Sequence, residues 1–139
     1  MKEYRKPLPQ PTPWSKPFWD GCKRHEFLIQ RCKDCQRPIF FPKLFCPYCL
    51  SPNPEWVKAS GRGKVYTYTV VYSYGPTEFS EDTPYIIGVI DLEEGVRMMS
   101  NIVECPPEKV RCDMEVEVVF DDVTEETTLP KFRPINERR

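Results

Sequence analysis

Four cysteines in two close pairs, Cys32-Lys33-Asp34-Cys35 and Cys46-Pro47-Tyr48-Cys49, constrain this chain more than any other stretch of it. A CxxC turn holds two thiolates about one metal ion's width apart, and a second such turn completes a tetrahedral sulfur site. With four protein ligands no coordination position stays open, so such a site holds structure together and performs no chemistry. Gln36-Arg37-Pro38 and Leu50-Ser51-Pro52 follow the two pairs as turns, and Ile39-Phe40-Phe41 between them reads as a short return strand. Two redox pairs or two disulfides are the competing readings. Neither finds support in a βαβ pattern beside the pairs or in a secretory leader before them. The spacing therefore predicts a structural zinc ribbon, although the same four sulfurs also suit iron.

The rest of the chain sets bounds on what surrounds that site. Its 139 residues leave room for one ordinary domain or two small ones. No apolar run approaches the roughly 18 residues of a membrane span, and the first residues lead into prolines rather than an apolar leader. Seven cysteines with a metal-type quartet read as a reducing, cytoplasmic setting. Sixteen prolines, many at segment edges, favour strands and loops over long helices. Charge is split along the chain. Residues 1–64 hold thirteen Lys/Arg against five Asp/Glu, and residues 65–139 hold seven against sixteen. A basic first half suits nucleic acid, an acidic protein or a phosphate-bearing cofactor, or serves solubility alone.

In order, residues 1–13 form an extended, proline-spaced arm. Ser15 caps a short helix to about Arg24, with Pro17 in its first turn. Trp14, Phe18 and Cys22 fall at i, i+4 and i+8 with Trp19 alongside, an aromatic face that either packs on the chain's own ribbon or docks another subunit. Strands at 26–31, 39–41 and 55–58 make a three-stranded ribbon, and residues 14–59 form one unit. Ala59-Ser60-Gly61-Arg62-Gly63 is a hinge. Beyond it lie a long strand at 64–72, a loop at 73–84, strands at 85–92 and 96–103 joined by Glu93-Glu94-Gly95, a turn at 106–110, a strand at 114–120, an acidic loop at 123–128 and a last strand at 129–134. About five strands over 60–134 suit an OB-type barrel, so the expected class is mainly β, with 135–139 as a tail.

Self-sufficient catalysis finds little to work with. The spare cysteines are Cys22, Cys105 and Cys112, and His25 is the one histidine. Cys22 and His25 lie three residues apart on or beyond a short helix, with no oxyanion scaffold in view. A free cysteine is more often a small buried hydrophobe, and His25 reads as a surface or packing residue. A nucleic-acid module is a second class, since Tyr66, Tyr68, Tyr72 and Tyr74 fall at even positions and could stack bases. The acidic barrel half opposes a phosphate backbone there. A purely structural scaffold is a third.

Several phrases together resemble one family: Pro17-Phe18-Trp19, the two CxxC pairs, Ser60-Gly61-Arg62-Gly63-Lys64-Val65-Tyr66-Thr67-Tyr68, Leu92-Glu93-Glu94-Gly95-Val96-Arg97 and Leu129-Pro130-Lys131-Phe132-Arg133-Pro134. From Trp14 to Pro134 the chain resembles the acyl-CoA-associated OB-fold proteins with an N-terminal rubredoxin-like zinc ribbon. Asp113 departs from the pattern where the family has a turn glycine, and aspartate tolerates the left-handed backbone such a turn needs. The resemblance implies a small companion of a thiolase-like subunit, in complexes that make or break carbon–carbon bonds in acyl-CoA thioesters. It implies that the partner supplies the reactive cysteine and histidines. This chain would then carry no catalytic residue, bind zinc through Cys32, Cys35, Cys46 and Cys49, and meet its partner through Trp14, Phe18 and Trp19. The barrel mouth and the 73–84 loop would wall the thioester site. Arg62 and Lys64 would meet a CoA phosphate, unless they are only a solvated strand edge.

Overall fold

A computed structural model describes residues 6–72 and 83–135. The first five residues of the expected arm, most of the expected 73–84 loop and the end of the tail lie outside the described residues.

One helix, α1 (Lys16–Lys23), precedes all the strands. Pro17 sits in its first turn, where a missing N–H costs nothing. Ser15 occupies the cap position, but its hydroxyl does not cap the helix. It accepts instead from the Thr12 amide at 2.8 Å and the Thr12 hydroxyl at 2.9 Å, tying the arm to the helix start. The ribbon follows as β1 (Leu28–Cys32), β2 (Pro38–Ile39) and β3 (Pro54–Lys58), in the order β2-β1-β3, all antiparallel. The return strand is shorter than the apolar run predicts, because pairing ends at Ile39. Phe40 turns to the core while Phe41 stays about half exposed.

The barrel comprises β4 (Arg62–Val71), β5 (Tyr85–Leu92), β6 (Arg97–Ile102), β7 (Glu115–Asp122) and β8 (Thr128–Pro134). It closes in the order β4-β5-β6-β8-β7, with five strands as the sequence predicts for an OB-type barrel. Closure rests on one parallel pair, Ile102 with Phe132. Pro107–Lys109 forms a single 3-10 turn between β6 and β7. Strand β5 alternates inward and outward along its whole length, placing Ile86, Ile90 and Leu92 in the core.

Ribbon and barrel do not meet at a loose hinge. Phe18, Cys22, Phe27 and Ile29 belong to the same buried cluster as Val65, Ile90, Val116 and Phe132. Phe27 meets Phe132 edge-on at 6.2 Å between ring centres. The expected hinge is itself fixed: the Ala59 amide donates to the Phe27 carbonyl at 2.8 Å, and the Val118 amide to that of Gly61 at 2.7 Å. Gly61 adopts φ +80°, and a Cβ there would lie 2.6 Å from a Val118 methyl, so only glycine fits without rearrangement. Asp113 does take the left-handed turn, at φ +69°.

Candidate metal centre and the surfaces around it

Each CxxC pair folds into the same local device. The amides of Asp34 and Cys35 point at the Cys32 sulfur at 3.3 and 3.4 Å, and the Tyr48 amide points at the Cys46 sulfur at 3.4 Å. The Gln36 amide closes the first turn on the Cys32 carbonyl, and the Leu50 amide closes the second on that of Cys46. Both closing residues are left-handed, at φ +69° and +65°. Backbone N–H groups stabilise a thiolate, and the Cys35 and Asp34 amides hold the Cys32 thiol down to about 6 despite its burial.

The four sulfurs converge. Cys32 lies 3.6 Å from Cys49, Cys35 lies 3.6 Å from Cys46, and all four fall within 4.8 Å of one another. A tetrahedral ion with metal–sulfur bonds of about 2.3 Å sets its ligands roughly 3.8 Å apart, close to the two 3.6 Å pairs, so the quartet is of the size one such ion needs. An ion held by all four sulfurs would keep no open position, so the cluster suits a structural metal rather than a reactive one.

Two supports escape a reading of spacing alone. Asp34, inside the first turn, accepts from the Ser51 hydroxyl, and Asn53 donates to the same carboxylate oxygen at 3.4 Å. The Ser51 contact, with help from Asn53, draws the Asp34 carboxyl below its ordinary value. This bond ties the first knuckle directly to the second. Gln30, buried in β1, donates to the Lys43 carbonyl at 2.9 Å and accepts from the Lys43 amide at 2.7 Å, pinning the approach to Cys46. The only sequence signals were small polar residues next to ligands and a polar residue inside an apolar strand.

The other expected site residues are scattered. Phe18 cannot serve a partner as the aromatic face predicts: it is 1% exposed, packed against Trp19, Phe27, Phe40 and Phe41. Within the helix the stripe is real, but the chain's own core covers its Phe18 and Cys22. Trp14 stands before the helix and is 42% exposed, and it shares a groove with Trp19, Phe41 and Leu44. Arg62 and Lys64 project outward from β4. They share one depression with Asp91, Glu93, Asp113 and Glu115, so carboxylates outnumber the two cations there.

The spare cysteines and the histidine do not converge on one another. Cys22 is fully buried, and burial pushes its thiol up to about 12, the opposite direction from a nucleophile. His25 stacks on Phe120 and sits 3.0 Å from an Asp122 oxygen, joining the end of α1 to β7. Tyr66, Tyr68 and Tyr72 are exposed, Arg97 covers the Tyr66 ring at 3.7 Å, and Tyr74 lies outside the described residues. No helix among the described residues is long and apolar enough to cross a membrane.

A closed tetrathiolate ribbon sharing its core with a five-stranded OB barrel defines a small class of two-part proteins. Comparison places the chain within that class. Residues 19–55 match the ChsH2 rubredoxin-like zinc ribbon domain, and residues 56–121 match the ChsH2 C-terminal OB-fold domain. A DUF35 domain-containing scaffold protein of Methanocaldococcus jannaschii is 42% identical over 125 residues, covering 84% of this chain and 88% of that protein. The chain belongs to this DUF35 family of ChsH2-type zinc-ribbon and OB-fold proteins. The solved structure of an Ltp2-ChsH2(DUF35) aldolase contains a chain that superposes with a TM-score of 0.82 at 32% identity, covering 91% of this chain and 98% of that one. The benzoylsuccinyl-CoA thiolase subunit BbsA of Thauera aromatica is 38% identical over 94 residues, 67% of this chain and 62% of that subunit.

Proposed function

We propose that this chain is a non-catalytic subunit of a thiolase-type complex acting on acyl-CoA thioesters, stabilising a catalytic partner and shaping part of its substrate site. The observation that carries this reading is the likeness, over nine-tenths of the chain, to a chain of the Ltp2-ChsH2(DUF35) aldolase. Similarity to a benzoylsuccinyl-CoA thiolase subunit supports the same chemistry. The chain's own groups fit a supporting role. Its histidine faces Asp122, and the cysteine nearest it in sequence is buried with a raised thiol.

Within this reading the quartet binds zinc, which holds the two knuckles in place and takes no part in the reaction. Trp14 and Trp19 belong to the partner interface. A groove of about 480 Å³ between the ribbon and the barrel, with Trp19, Phe41, Met98 and Met99 among its walls, borders the thioester site. Remote binding of this kind holds an acyl group in place and so affects turnover as well as affinity. Arg62 and Lys64 are the proposed phosphate contacts, weakened by the carboxylates beside them. We place the complex in the cytoplasm and divide the chain into an arm at 1–13, a helix–ribbon unit at 14–59, a barrel at 60–134 and a tail at 135–139.

The test is co-expression of the full tagged chain with each thiolase-superfamily subunit of its source genome. We expect one stable complex whose thioester cleavage or synthesis falls when this chain is withheld. Turnover of acyl-CoA by the isolated chain, or no association with any such subunit, would overturn the reading.

A further inference from the structure

The four sulfurs of the quartet are not equally reachable. Cys32 and Cys46 are fully buried, Cys35 is partly buried and Cys49 is exposed. The folding of the two turns explains the difference. The first cysteine of each pair faces inward beside Ile39, and the amides of its own turn point at its sulfur. Cys49 ends the second turn between Tyr48 and Leu50, both of which are more than half exposed.

A cysteine that ligates zinc is held as the thiolate, and thiolate character together with exposure decides which cysteine an oxidant attacks. Burial withholds Cys32 and Cys46 from a peroxide in solution but leaves Cys49 open to it. Outside the quartet Cys22 is buried, Cys105 partly so, and Cys112 is exposed but belongs to no sulfur cluster. A cysteine oxidised by peroxide goes on to a disulfide when a second thiol is within reach. The sulfur touching Cys49 is that of Cys32, at 3.6 Å and in the other knuckle. Cys35 and Cys46 are paired in the same way, also at 3.6 Å. Contact thus runs across the two turns and not within either one.

We infer that Cys49 is an oxidation site, where a hydroperoxide drives formation of a reversible Cys32–Cys49 disulfide that expels the metal. The Cys49 thiolate attacks the peroxide, its sulfur takes one oxygen as a sulfenic acid, and hydroxide leaves. The Cys32 thiolate then attacks that sulfur, forming the disulfide and releasing a second hydroxide. The peroxide gains the two electrons that the two thiolates lose. Zinc has no redox chemistry of its own, and a closed structural site needs all four ligands, so the ion departs as Zn2+. A dithiol reverses the oxidation and lets zinc rebind. Ile39 is the one apolar side chain in the buried knuckle cluster, so loss of the ion loosens residues 32–53 and leaves the barrel folded. The inference rests on zinc filling the quartet, as proposed above, and not on the identity of a partner.

The experiment treats the zinc-loaded, full-length chain with hydrogen peroxide. Released zinc is read with a chromogenic chelator, and disulfides are located by fragmentation mass spectrometry. Two variants accompany wild type: Cys112→Ser, which removes the other exposed thiol, and Cys49→His, which keeps four ligands of types that suit zinc. We expect zinc release in step with disulfide formation, the Cys32–Cys49 link in wild type and Cys112→Ser alike, and renewed zinc binding after a dithiol. Cys49→His should lose zinc to peroxide at least about tenfold more slowly. A disulfide within either CxxC pair, or one through Cys112, would overturn the inference, as would oxidation that leaves zinc in place. Should Cys49→His fail to hold zinc, the disulfide map of wild type decides alone. Absence of zinc from the chain before any peroxide is added would overturn the zinc assignment itself, and this inference with it.

Discussion

The two ends of the ribbon are held by different forces. At the knuckles the buried cluster is Cys32, Ile39 and Cys46, with Cys35 packed against it, so three of its four members belong to the cysteine quartet and one is an apolar side chain. At the other end Phe18, Cys22, Phe27 and Ile29 enter a fifteen-residue core that runs through the barrel to Phe132. A segment with so little apolar burial cannot offset its own chain entropy, and the metal must supply the difference. The barrel needs no such help. The ribbon is thus half metal site and half barrel core, and its sequence boundary near Ala59 is not an energetic one.

The most drastic way to break this contrast is to remove the metal. Chelation, or Cys46→Ser, should release residues 32–53 to fast amide hydrogen exchange while β4 to β8 stay protected. Protection of the knuckles without metal would show that packing holds them after all. Next in size is Phe132→Ala. Its ring is fully buried and shared between the barrel and Phe27 of the ribbon, so truncation should cost about 3–5 kcal/mol in urea unfolding. Exchange should then rise in α1 and β1 as well as in the barrel. A loss confined to the barrel would mean that the shared core is two cores in contact.

How much of this was legible in the sequence follows the range of the interactions. The metal site was, because its signal is two local turns with ligands at a fixed spacing. Strand β5 was, because a strand facing one core alternates. Asp113 was, because the turn demands a left-handed residue and aspartate is among the few that comply. Phe18 was misread because periodicity reveals an apolar face but not what covers it. The cover here, Phe27 and Phe40, comes from the ribbon. Arg62 and Lys64 looked like free cations because their carboxylate neighbours arrive from the end of β5 and the start of β7. In β4 the tyrosines do not follow one simple face, since the register shifts between Val65 and Thr67 and a bulge breaks the alternation. The clamp from Asp34 to Ser51 spans seventeen residues and has no local signature.

That clamp gives a smaller, sharper test within the knuckle end. Groups that orient metal ligands from outside commonly change affinity by an order of magnitude or more when removed. Asp34→Ala should release zinc to a competing chelator about tenfold faster than wild type, with the barrel's unfolding midpoint unchanged. Ser51→Ala should behave alike, and the double variant should add little, because both remove one bond. Independent effects would mean that each residue acts on its own turn and that no clamp exists.

The smallest expected effect lies at the joint between α1 and β7. Asp122 accepts from Thr128 at 2.5 Å and faces His25, and these two contacts, Thr128 first, hold its carboxyl below the ordinary 3.8. A carboxylate with a depressed folded value contributes stability that is present above the ordinary value and lost as pH falls through the folded one. Both partners at the joint are about half exposed, so solvent screens the interaction and the contribution is small. Asp122→Asn should therefore melt slightly below wild type at neutral pH, and the gap should close in acid. A gap that persisted in acid would trace the loss to packing of the His25 ring on Phe120. In that case the joint belongs with the apolar core, and its electrostatics are incidental.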